Sequence, residues 1–225
     1  MNRASVIRRM VKDLDRIYGG EDWEATRSRP DAVEAIVRTI LSQNTNDANR
    51  DRGYDGLRSR FCTWNDVRCA HLSSLRSAIR PAGLAGQKAP AIRDFLRWLH
   101  RERGALEMDF LGEMPVDEAV EALTAHKGIG LKTAYILLAF SFGKDLCAVD
   151  THVHRIMKRV GVINEACGRE RAHTELRPLI PKGKAIAFHV NLLDHGKAVC
   201  TARNPDCGAC AISDVCRFRA RSSSP

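Results

Sequence analysis

Apolar positions recur at helical spacing along most of the chain. In DAVEAIVRTILSQ (31–43), Val33, Ile36, Val37, Ile40 and Leu41 fall on one face of a 3.6-residue period. Pro30 suits the first turn of that helix. The same logic predicts helices over residues 4–18, NRDRGYDGLRSRF, KAPAIRDFLRWLHRE up to Gly104, VDEAVEALTA and LKTAYILLAFSF. It continues over THVHRIMKRV, RERAHTELRPL and AIAFHVNLLDHG, with short helices over WNDVRCA, capped by Thr63, and LSSLRSAI. SQNTND interrupts the pattern, and Pro81 with Gly83 marks a turn. No stretch alternates with a period of two, so the fold class is all-α.

Composition narrows the setting. The 225 residues are 44% hydrophobic and 6% aromatic, enough for a largely aliphatic core. No apolar run approaches the ~20 residues a membrane span needs, and the first residues have no signal-type apolar centre. The expectation is a soluble, intracellular and cytoplasmic protein with no membrane partner. The net charge is +9. Such a surface suits a polyanion, nucleic acid first, although solubility alone also accounts for it. Residues 1–29 and 145–225 hold 20 Lys and Arg against 13 Asp and Glu, which is +7 of that +9. This predicts a nearly neutral helical domain, 30–144, inserted into a basic domain built from the two ends.

The segment HKGIGLKTA (126–134) reads as a tight hairpin between two helices. Gly128 and Gly130 reach backbone angles that side chains resist, and Ile129 between them can pin the turn. Open amides at the following helix start bind phosphate oxygens, helped by the helix dipole. This would grip a nucleic-acid backbone without reading its sequence. An ordinary glycine-rich turn remains the other reading.

Lys132 falls in the first turn of the second helix, where the dipole disfavours an ammonium ion. Burial against the apolar run would add to this. A neutral amine is a nucleophile that forms Schiff bases with aldehyde carbons; the plainer role is a phosphate contact. Asp150, opening DTHVHRI, is either a helix N-cap or a carboxylate able to stabilise a cationic sugar transition state. His152 reads as an orienting or core residue.

Cys200, Cys207, Cys210 and Cys216 form C-x6-C-x2-C-x5-C. Four thiolates in one loop suit an iron–sulfur cluster. Zinc is the alternative, although its sites usually pair two C-x2-C knuckles, and disulfides are a third option. Lys197, Arg203, Arg217, Arg219 and Arg221 add basic charge around the loop; for the last three a solvated tail is the plain reading.

Taken together and in order, HKGIGLKTA, AVDTHVHRI and HGKAVCTARNPDCGACAISDVC resemble the endonuclease III family of helix-hairpin-helix DNA glycosylases, from about Pro30 to Cys216. The resemblance implies a six-helix barrel domain at 30–144 and an iron–sulfur cluster domain from 1–29 and 145–225. It implies a [4Fe-4S] cluster on Cys200, Cys207, Cys210 and Cys216, Lys132 as Schiff-base nucleophile and Asp150 as catalytic aspartate. It further implies that Leu84 wedges into the duplex beside an extruded base. Asn44 falls where the family usually has a glutamine that fills the vacated space, with Gln43 adjacent. Lys127, Gly128, Ile129 and Gly130 would grip the backbone. The implied activity is base-excision repair of double-stranded DNA by a monomer that removes oxidised pyrimidines and cleaves abasic sites. A monofunctional glycosylase and a non-catalytic DNA-binding protein are the alternatives; the monofunctional subfamily lacks the lysine at 132. The hairpin departs from the family by opening His126-Lys127 where Leu-Pro is usual, and by Leu131 at a commonly basic position.

Overall fold

The computed structural model describes residues 1–19 and 29–222. Arg221's side chain and the last residues of the SSSP tail lie outside what is described. Among the described residues there are thirteen α-helices, three short 3₁₀ turns and no strand. The helices are α1 (Arg3–Tyr18), α2 (Ala32–Leu41), α3 (Asp47–Arg60), α4 (Trp64–Cys69), α5 (Leu72–Ala78), α6 (Ala85–Arg103) and α7 (Phe110–Glu113). Then come α8 (Val116–Thr124), α9 (Leu131–Phe142), α10 (Thr151–Val160), α11 (Arg169–Leu176), α12 (Ala185–Ala198) and α13 (Arg217–Ser222). The chain divides into two compact units, Arg29–Lys144 and the pair Met1–Ser28 with Asp145–Pro225.

The inserted unit, Arg29–Lys144, holds α2 to α9. Its apolar stripe is the one the pattern marks: Val33, Ile36, Val37, Ile40 and Leu41 are all buried. α2 packs against α3, α6 and α9. α9 is apolar on most sides, as a helix inside a bundle must be, and Leu137 and Leu138 are among its buried residues. Side-chain caps set several starts. Asp31 accepts the amide of Glu34 at 2.7 Å, so α2 begins at Ala32 and Pro30 lies just before the cap rather than in the first turn. Thr63 and Asp66 form a reciprocal capping box on α4. α6 starts at Ala85, three residues before the KAPAIRDF pattern suggests, and carries Pro90 within it. Pro90 lies past the first turn, so the bond to Gly86 O is missing there.

The terminal unit is closed by both ends of the chain. Ile7, Met10 and Leu14 of α1 share one buried cluster with Val153, Ile156, Met157 and Val160 of α10 and Phe188 and Leu192 of α12. Each fully buried aliphatic side chain contributes roughly 1.5–3 kcal/mol, so the early segment is an integral part of this unit's core. Polar ties accompany it: Asn191 Nδ2 donates to Asp15 at 2.9 Å. The residues after Cys216 form α13, whose side chains from Arg217 to Ala220 are exposed, and the Arg159 guanidinium lies 4.9 Å from the Phe218 ring centre.

Candidate functional site

Between α8 and α9 the chain turns through His126–Gly130. The Ile129 amide donates to His126 O at 3.0 Å. Gly128 has φ +90, and a Cβ there would come within 2.7 Å of Ala91 Cβ, so both its angle and its surroundings require glycine. Ile129 is buried and pins the turn. Gly130 is the N-cap of α9 and supplies no side-chain acceptor. The first amides of α9 are therefore left as open donors at the positive end of the helix. His126 packs on Trp98 with ring centres 4.2 Å apart and edge-on to Phe95. Burial, then Arg101, holds its pKa below the usual histidine value. An aromatic cluster thus anchors the hairpin where a Leu-Pro pair is absent, and Lys127 beside it is exposed.

Two further turns meet the hairpin within the inserted unit. A cavity of about 640 Å³ is lined by Gln43, Asn44, Leu84, Lys88, Lys127 and Gly128, among others. Gln43 Nε2 donates to Gly128 O at 2.8 Å and to Thr133 Oγ1 at 3.3 Å, which commits it to the hairpin. Asn44 is exposed. Among the described residues, Asn44 (φ +50) and Leu84 (φ +48) are the only non-glycines with positive φ. For leucine this backbone costs about 1–2 kcal/mol. An apolar side chain 46% exposed on a strained turn gains nothing for the core. Behind both turns lies Lys88, only 2% exposed. Its Nζ donates to Leu41 O at 2.7 Å and to Ala82 O at 2.9 Å, and burial lowers its pKa.

Lys132 lies on the first turn of α9 and is exposed, not partly buried as the apolar run suggests. Thr133, Ala134 and Tyr135 take the inward positions instead. Among the described residues its amine has no hydrogen bond or ion pair.

Asp150 belongs to the terminal unit. It is the N-cap of α10, with Oδ1 accepting the Val153 amide at 2.8 Å. The backbone leading to it is fixed on several sides. The Val149 amide donates to His173 Nε2 at 2.9 Å, and His189 Nδ1 donates to Ala148 O at 2.9 Å. Asp145 accepts the amides of Gly183 and Ala185.

Cys200, Cys207, Cys210 and Cys216 line one cavity in the terminal unit together with Arg159 and His195. All eight cysteines are free thiols, which leaves the disulfide reading without support. Burial, then the neighbouring cysteines, pushes Cys210 up to about 11. Four adjacent thiolates therefore need a cationic metal group to balance them. Among the described residues no three His, Cys, Asp or Glu side chains converge on a point suited to one ion. The four cysteines line one shared space, a donor set that suits an iron–sulfur cluster. Two arginines not singled out by the sequence brace this loop. Arg155 donates to Gly196 O and Cys200 O at 2.9 and 2.7 Å. Arg159 donates to Cys200 Sγ at 3.2 Å and Thr201 O at 2.7 Å.

Comparison with known proteins agrees with these features. Residues 37–182 match the HhH-GPD superfamily base excision DNA repair proteins, and residues 200–216 match the iron-sulfur binding domain of endonuclease III. The chain belongs to this superfamily and, within it, to the endonuclease III family. Endonuclease III of Thermotoga maritima is 30% identical over 191 residues, 85% of each chain, and that of Escherichia coli 33% over 188 residues, 83% of each. An Arabidopsis thaliana protein named for DNA glycosylase activity is 34% identical over 165 residues, and this chain spans only 56% of its length. A non-covalent endonuclease III–DNA complex superposes with a TM-score of 0.79 at 26% identity over 99% of both chains. A trapped endonuclease III–DNA covalent intermediate gives 0.80 at 25% identity over all of both. The protein is thus a base excision DNA repair glycosylase of endonuclease III type, with the helix-hairpin-helix fold and a [4Fe-4S] cluster. Among the described residues no helix is long and apolar enough to cross a membrane.

Proposed function

We propose that the chain is a bifunctional DNA glycosylase and abasic-site lyase that removes oxidised pyrimidines, with Lys132 as its nucleophile. The observation that carries this reading is the exposed amine in the first turn of α9, without a partner among the described residues and directly after the glycine hairpin. A helix start with open donors holds a phosphate, and a lysine one step along it then meets the adjoining sugar. Nζ attacks C1′, the bond to the base breaks, and the base leaves with its electron pair and takes up a proton. The nitrogen gives its extra proton to the departing base, the C1′–O4′ bond then opens with O4′ taking up a proton, and the iminium so formed acidifies the C2′ hydrogen. Loss of that proton expels the 3′ phosphate and breaks the strand, and water then frees the lysine. Asp150 stabilises the positive charge that develops on the sugar. Its capping bond occupies one carboxylate oxygen and leaves the other for this work.

Leu84 wedges into the stack and Asn44 fills the space left by the extruded nucleotide. Gln43 is tied to the hairpin instead, which favours Asn44 for this role. Lys127, Gly128, Ile129 and Gly130 form the backbone grip. Cys200, Cys207, Cys210 and Cys216 hold the cluster, whose contribution is to cross-link the loop between α12 and α13. The test is borohydride reduction of the protein on duplexes carrying an oxidised pyrimidine or a preformed abasic site. Covalent adducts on both are expected. Base release without an adduct would assign the monofunctional alternative.

A further inference from the structure

Lys88 sits on the core face of α6, in register with Ile92, Phe95, Leu96 and Leu99, where methionine would satisfy the packing. A buried ammonium is retained at such a position only for the bonds it makes. Those bonds join two segments far apart in sequence. One goes to Leu41 O at the negative end of α2, just before the turn that carries Asn44. The other goes to Ala82 O, just before Gly83 and Leu84. Each segment then enters its one non-glycine residue with positive φ, and both residues line the same cavity. We propose that Lys88 is a positioning residue whose ammonium staples the Asn44 turn to the Leu84 turn, setting the spacing at which the wedge and the filling residue enter DNA together. This rests on the glycosylase reading above.

The staple matters most when a paired, stacked base must be forced out, and least when the base is already gone. The experiment compares single-turnover rates of Lys88→Met and wild type on two duplexes, one with an oxidised pyrimidine and one with an abasic site at the same position. Loss of two buried charged hydrogen bonds should slow base excision roughly ten- to a hundredfold, and abasic cleavage by a much smaller factor. Lys88→Gln, which keeps a donor for one carbonyl, should fall between, and it carries the test if Lys88→Met does not fold. Amide exchange near residues 43–44 and 83–84 should quicken in both variants. Equal slowing on the two duplexes, or no slowing on either, overturns the proposal. A wild-type protein that forms no borohydride adduct on either duplex overturns the underlying reading and this proposal with it.

Discussion

Asp150 combines two tasks in one carboxylate, and a single substitution separates them. Asn caps helices about as well as Asp, so Asp150→Asn should leave thermal stability nearly unchanged while lowering single-turnover excision by about 10²–10⁴-fold. A comparable loss of melting temperature would instead mark Asp150 as a cap alone. The helix-start positions of Lys132 and Asp150 were legible in the sequence because local pattern defines each helix. It also left the choice between Gln43 and Asn44 open, since that choice rests on which side chain reaches Gly128 O across 85 positions. Lys88, Arg155 and Arg159 were illegible for the same reason: their partners are backbone carbonyls brought near by the fold. Lys88 alone left a trace, as a lysine in register with the apolar face of α6.

At the level of elements, the hairpin's two glycines are not equivalent. Gly128 has positive φ and no room for a Cβ, whereas Gly130 has φ −91 and open space around it. Gly128→Ala should destabilise the protein by about 1–3 kcal/mol, read by chemical denaturation. Gly130→Ala should leave stability within about 1 kcal/mol yet weaken DNA binding, because its Cβ would obstruct the approach of a phosphate. α11 offers a pH test. His173 is buried, burial lowers its pKa, and it accepts the Val149 amide. Its neutral form is therefore the native one. Stability should be fully present above the unfolded histidine value of about 6.5 and fall as pH drops toward the lowered folded value. His173→Gln should flatten that fall. Glycine chemistry and the 3.6-residue period exposed the hairpin and most helices in advance. The early start of α6 was hidden because it depends on Leu84 accepting a left-handed backbone, which no local propensity favours.

The whole molecule is basic, with most of its excess charge in the two terminal segments. Affinity for duplex DNA should fall roughly 10³-fold between 50 and 200 mM salt if about six phosphates are contacted; a flat salt response would contradict a backbone grip. Removing the iron should loosen the terminal unit, since metal binding there is also folding free energy. Faster amide exchange over residues 145–216, with the α2 core at Ile36 and Ile40 unchanged, is the expected pattern. The division of charge along the sequence suggests an inserted domain, because a discontinuous basic domain leaves its mark in composition. How α1 joins the core of α10 and α12 left no such mark, being a matter of packing between distant segments. The central claim is that one amine, on the first turn of α9, becomes bonded to deoxyribose. Its most direct measurement is mass mapping of the borohydride-reduced adduct on abasic duplex. The sugar remnant should lie on the peptide containing Lys132, and Lys132→Ala should give no adduct. A remnant on any other lysine, or an undiminished adduct in that variant, would contradict the account.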